Sequence, residues 1–145
     1  MKKLWIIFLL ILTLTSCGSS FQQIEDENGE EDYSLVHIPE ADIIDGASSI
    51  SFVSIFTNTN KGGSASIEKF SGVKKLDTLT KKDKVTVNFE VTSGNAVLCI
   101  VSKSEILHYF EVNKENQEYL IDTNEKIYLK LAGESAKVKI TYTIE

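Results

Sequence analysis

The last strand-like segment of the chain carries the pattern that most restricts its fold. Val138, Ile140, Tyr142 and Ile144 alternate with Lys137, Lys139, Thr141 and Thr143. A period of two places the apolar side chains on one side of an extended backbone and the polar ones on the other. The same repeat runs through Val85, Val87, Phe89 and Val91, set against Lys84, Thr86, Asn88, Glu90 and Thr92. It returns at Ile127, Leu129 and Leu131, set against Lys126, Tyr128 and Lys130. Strands with one dry and one wet face belong to antiparallel sheets. Turn-forming clusters punctuate them: "NTNKGG" at 58–63, "KKDK" at 81–84, "SGN" at 93–95, "DTNE" at 122–125 and "AGES" at 132–135. No ten-residue segment has a helical stripe. The prediction is all-β: an antiparallel β-sandwich of about seven to nine strands over residues 49–145.

Two segments depart from alternation. "ISFVSIF" (50–56) and "AVLCIV" (96–101) are apolar in both registers. Continuous apolar runs predict central strands buried on both faces, here covered by residues 33–48 or by a loop. The competing expectation is an outer face that docks a partner, since large exposed apolar patches mark interfaces. Cys99 lies inside the second run and is expected in the core as an unpaired, unreactive thiol.

The charge of −6 sits in one place. Residues 18–48 hold nine acids and no lysine, whereas residues 49–145 hold twelve acids and thirteen lysines. All fifteen basic residues are lysine, and neither part offers the basic footprint that nucleic acid requires. Six acids within 25–32 repel one another and favour a solvated tether. "DENGEED" fails the calcium-loop pattern, because counting back from Gly29 puts Ile24 in the first ligand position. Within the tether, 33–38 ("YSLVHI") is a candidate first edge strand bordered by Pro39, and 42–45 a turn or short helical piece.

The N-terminus has its own logic. Lys2 and Lys3 precede the unbroken apolar run "LWIIFLLIL" at 4–12, too short to span a bilayer comfortably, and small residues follow. Together these features describe a secretory signal peptide. Leu14-Thr15-Ser16-Cys17 resembles the lipobox of bacterial lipoproteins. The resemblance implies cleavage between Ser16 and Cys17, and fatty acylation of the Cys17 thiol with palmitate-type chains. Residues 1–16 are then the signal peptide, 17–48 the lipidated cysteine and acidic tether, and 49–145 the head. Two acyl chains anchor durably where one binds reversibly. The expected location is therefore the extracytoplasmic face of a cell membrane. The head, with "KFSGVKKLDTLTKKDKVTVNFEVTSGNAVLCIV" and "KIYLKLAGESAKVKITYTI", is similar over about 65–144 to small secreted β-sandwich lipoproteins of low-GC bacteria. That likeness brings no catalytic residues.

Catalysis needs a nucleophile with a base, a metal cluster or paired carboxylates. His37 falls in the tether or first strand, and His108 is expected on a strand face with Ile106 and Phe110. There is no Cys/His spacing for zinc. Two S-x-x-K matches, Ser66/Lys69 and Ser71/Lys74, occur at the frequency chance allows and lack the helix start that such a serine needs. Tyr109, Tyr119 and Tyr128 are candidate rings on wet faces, with Tyr109 and Tyr128 the candidate ligand contacts. Tyrosine is equally an ordinary strand residue. The resulting expectation is a monomeric, membrane-anchored, non-enzymatic lipoprotein without cofactor or metal, whose head binds an envelope or extracellular protein or glycan. The alternative is a structural or protective envelope role without a specific ligand, with a hydrolase further behind.

Overall fold

The computed structural model describes residues 36–145. The lipobox, the cleavage point and most of the acidic block lie outside them. One short helix, α1 (Glu40–Asp45), precedes six strands: β1 (Ser49–Thr59), β2 (Gly62–Leu79), β3 (Lys84–Val101), β4 (Ile106–Phe110), β5 (Lys114–Leu120) and β6 (Ile127–Ile144). All pairings are antiparallel and form one sheet in the order β1-β2-β6-β3-β4, with β5 also on β3. The antiparallel, all-β expectation holds, but the described residues form six strands where the turn count predicted seven to nine.

The difference lies in two of the turn clusters. "NTNKGG", "KKDK" and "DTNE" mark the β1–β2, β2–β3 and β5–β6 connections, but "SGN" and "AGES" lie inside β3 and β6. There they bend 18-residue strands without ending them. Register shifts fall between Ile67 and Gly72 on β2 and between Val91 and Asn95 on β3. Their cross-strand partners on β6 are residues 133–138. The gap between β4 and β5 lies beside the same place, because Phe110 pairs with Leu98 and Lys114 with Phe89. Each long strand, and the β4–β5 pair, carries a left-handed residue in this belt: Gly72 (φ 102), Gly94 (φ 71), Asn113 (φ 59) and Ser135 (φ 50). Val53 (φ 46) continues the line into β1. The bulges form one crease running across the whole sheet.

The crease folds the sheet over its own inner face. Gly63 and Leu76 are 13 residues apart on β2, which in a straight strand would be roughly 40 Å. Yet the hydroxyl of Tyr142, whose backbone partner is Gly63, donates to the Leu76 carbonyl at 3.4 Å and lies 3.1 Å from Asp77 Oδ2. Side chains from both halves therefore share one core. Ile67, Val85, Val87, Phe89, Val138 and Ile140 come from one half, and Leu79, Leu98, Ile100, Phe110, Leu129 and Leu131 from the other. Phe70, at the bend itself, is fully buried.

A second, smaller core lies on the outer face of one half. Val73, Val97, Cys99, Val101 and Ala132 pack there under Ile43, with Val36, Ile38 and Ile44 at the margin. The run 96–101 is thus buried on both faces and covered by the tether-side segment, as its composition predicts. The cover is α1 and the coil before it. Residues 36–38 do not form the expected edge strand, and residues 36–48 are packed against the head that was expected to begin at 49.

A helix of six residues does not persist alone. Its first turn carries Glu40 and Asp42, which suit the positive end of the helix dipole, but its last turn has no cation of its own. Lys130 supplies it from β6, donating to the carbonyls of Ile43 (3.0 Å), Ile44 (2.5 Å) and Gly46 (3.1 Å). Alternation alone put Lys130 on a wet face, but it is only 5% exposed. Burial pushes its ammonium below the usual lysine range, while Cys99 and Asp45 pull it back.

Three substitutions test this architecture. Val53→Asn should raise stability by roughly 0.5–1 kcal/mol, since asparagine tolerates the left-handed region and the valine is exposed. Gly94→Ala should lower it, because the added Cβ meets the Ser135 carbonyl oxygen at 2.4 Å. Lys130→Met should cost about 2–4 kcal/mol by leaving the α1 carbonyls unpaired. It should also open residues 36–48 to protease before the sheet unfolds, read by urea titration and limited proteolysis.

Candidate functional site

β1 is the terminal strand of the sheet, hydrogen-bonded to β2 along one edge only. Serine, isoleucine, phenylalanine, valine and threonine make ten of its eleven residues, Asn58 is the other, and it contains no charge. Its first residue is half-buried and every other one exposed. Ile50, Phe52, Val53 and Ile55 are each more than 60% exposed and Phe56 is 39% exposed. For 50–56 the buried reading is therefore overturned: this strand is not central, and among the described residues neither 36–48 nor a loop buries it.

Such an edge is unusual chemically. Edge strands are ordinarily blunted by lysine, proline, bulges or a covering element, because their free N–H and C=O groups template further pairing. Here proline and lysine are absent from the strand, and the bend at Val53 is the only interruption. Lys69 is the cross-strand partner of Phe52, and Lys74 Nζ lies 4.5 Å from the centre of the Phe56 ring, a cation–π contact. These ammonium groups border the apolar strip without covering it. Beside Phe56, a shallow cavity of about 270 Å³ is lined by Asn58, Ser64, Lys74, Leu76 and Tyr142.

The other candidate groups are occupied within the fold. The Tyr109 hydroxyl donates to Glu40 Oε1 at 3.3 Å, and its ring packs at the margin of the α1 core. Burial, and after it Glu40, pushes the phenol up to about 12. Tyr128 carries two ammonium groups over its ring, Lys75 at 5.4 Å and Lys130 at 5.9 Å. Tyr119 stacks on His108 with ring centres 4.8 Å apart, and Phe110 meets the same imidazole edge-on at 4.9 Å. Burial holds the His108 imidazole below its usual pKa, against an opposing pull from Glu111. His108 shares its face with Phe110 but not, as expected, with Ile106. A bulge pairs His108 with Ile100 and Ile106 with Val101, so Ile106 turns to the outer core.

Cys99 is fully buried, its Sγ 3.6 Å from the Lys130 carbonyl oxygen that it faces as donor. Burial pushes its thiol up to about 12, against a weaker pull from Lys130. Ser71 sits in mid-strand on β2, with its Oγ accepting from the Ser135 N–H at 2.9 Å, a setting foreign to an S-x-x-K nucleophile. His37 is exposed beside Glu134, 3.2 Å from Nδ1. Among the described residues no three metal-ligating side chains converge. A polar groove of about 630 Å³ runs along Asn88–Thr92, Asn113–Glu115 and Lys139–Thr141. Its amides are already committed: Asn88 donates to Thr141 and accepts from the Asn116 N–H, and Asn113 accepts from the Val91 N–H.

Comparison of the chain with protein-family models, with characterised proteins and with solved structures finds no match. The functional reading therefore rests on the surface itself. Phe52→Lys with Ile55→Lys should shift folding stability by no more than about 0.5 kcal/mol, since both side chains are exposed. The same pair should strongly reduce binding of a hydrophobic dye to the native protein, measured by fluorescence at matched concentration.

Proposed function

We propose that this chain is a membrane-anchored bacterial surface lipoprotein, held by lipid on Cys17 at the extracytoplasmic face, whose β head docks protein through strand β1. The exposed, uncharged edge of β1 carries this reading. Free strand edges recruit partners by main-chain pairing, with exposed side chains supplying affinity and register. Anchoring rests on the lipobox resemblance at Leu14-Thr15-Ser16-Cys17 and on the charged, then apolar, then small-residue order of residues 1–16.

A protein ligand suits this surface better than a glycan. Sugar stacking needs an open aromatic face, but the Tyr109 hydroxyl is tied to Glu40 and the Tyr128 ring already carries two lysines. The head is read as a binding module rather than an enzyme because His108 is engaged on two sides by rings, with burial holding its pKa down, and the Cys99 thiol is buried with its pKa pushed up to about 12. A purely structural envelope role predicts that β1 is dispensable, and the β1 lysine variants separate the two readings in a deletion-complementation assay.

For the anchor, Cys17→Ala should abolish incorporation of labelled fatty acid and leave uncleaved precursor or released protein. Membrane partition and lipid labelling of the variant check this, and unchanged values for both would sink the lipoprotein assignment.

A further inference from the structure

We propose that β1 receives an extended acidic segment of another protein, a strand that is apolar where it meets β1 and places carboxylates on Lys69 and Lys74. The inference rests on the reading of β1 as a docking strand and adds the chemistry of its occupant.

Charge around the strand points this way. Residues 49–79, which are β1, its turn and β2, hold four lysines and two acids in a chain of net charge −6. Both acids are engaged within the fold. Glu68 pairs with Lys137 at 2.8 Å, and Asp77 accepts from the Tyr142 hydroxyl at 3.1 Å and from the Thr78 N–H at 2.8 Å. Of the lysines, Lys75 lies over the Tyr128 ring. Lys61, Lys69 and Lys74 have no acidic partner among the described residues. An uncharged apolar edge bordered by unmatched positive charge selects a negative partner, because complementary charge is what sets one protein ligand apart from others.

The positions sharpen the class. Lys69 faces Phe52 across the strand pair, and Lys74 Nζ stands 4.5 Å from the centre of the Phe56 ring. The two ammonium groups thus mark separate points along one apolar strip. Lys74 is already held there by its cation–π contact. A carboxylate that reaches it gains a charge-assisted hydrogen bond without ordering a long side chain afresh. The recess of about 270 Å³ beside Phe56, lined in part by Leu76 and Tyr142, accepts an apolar side chain next to that carboxylate. Other occupants fit less well. Lipid chains offer no hydrogen bonds to the open N–H and C=O groups of β1, which a strand satisfies. A second copy of this chain would bring the same lysines to the same rim, where like charges oppose each other.

The test uses the full chain in its native membranes. Phage displaying random peptides are selected on right-side-out vesicles carrying the chain, after depletion on vesicles lacking it. Recovered peptides should be enriched in Asp and Glu beside β-branched residues, and each should bind Lys69→Glu and Lys74→Glu chains about tenfold more weakly. Lys69 is exposed, so its substitution leaves folding out of the comparison. Phe52→Ser with Ile55→Ser should abolish binding. Peptides without acidic bias, indifferent to both lysine substitutions but lost on the serine pair, would overturn the acidic class and leave β1 a docking strand. Peptides that bind the serine pair unchanged would overturn both. Recovery of no peptide would also overturn the proposal. A Phe52→Cys thiol shielded from maleimide would then assign the strip to lipid or to a second copy, and a freely labelled one would end the docking reading as well.

Discussion

The structure depends on a line of left-handed residues crossing the sheet. Val53, Gly72, Ser135, Gly94 and Asn113 each place one positive φ in one bent element; Gly94 and Ser135 are neighbours across β3 and β6, Gly72 faces Gly133, and Val53 and Asn113 lie within a few residues of the same line. Because the bends are aligned, the sheet folds without losing its hydrogen-bond ladder, and one face becomes the interior. Long strands then serve the core twice. β3 contributes Phe89 before the crease and Leu98 after it, and β6 contributes Leu129 and Ile140. Local side-chain hydrogen bonds reinforce the corner: Gln117 accepts from the Glu111 N–H and donates to the Glu111 and Lys114 carbonyls. Glycine relieves the strain at two of the five positions, while an exposed valine bears it at the free edge.

The crease also leaves the two faces of the sheet with different fates. The inner face closes on itself, but half of the outer face is apolar and needs a cover. The chain provides it from the tether side, with Ile43 3% exposed under α1, and Lys130 ties the helix end to the sheet. The buried ammonium is costly to desolvate, and three carbonyl acceptors offset that cost. Residues 36–46 are therefore packed on the sheet rather than loose. Among the described residues β1, at the edge of the sheet, receives no such cover. The docking proposal grows from that asymmetry.

Much of the fold was legible in the residues. The alternation at 84–92, 127–131 and 137–144 placed β3 and β6 and their dry faces, because period two has one structural meaning. The two-sided burial of 96–101, the core position of Cys99 and the short helical piece near 42–45 followed from local composition. Less was legible at the candidate site. "ISFVSIF" and "AVLCIV" have the same composition logic and opposite outcomes. Only strand order distinguishes them, since β3 has neighbours on both edges and β1 on one. Lys130 looked like an ordinary wet-face lysine, because nothing local announces a helix that packs from 85 residues upstream.

The residues alone therefore determined the local geometry: extended segments, their apolar faces and three of the chain reversals. Tertiary structure decided which glycine- and serine-rich clusters reverse the chain and which merely crease it, because a bulge and a turn use the same residue types. It also decided which apolar strand lies at the centre and which at the rim. Burial is a property of the neighbours a strand acquires, and those neighbours come from distant parts of the chain.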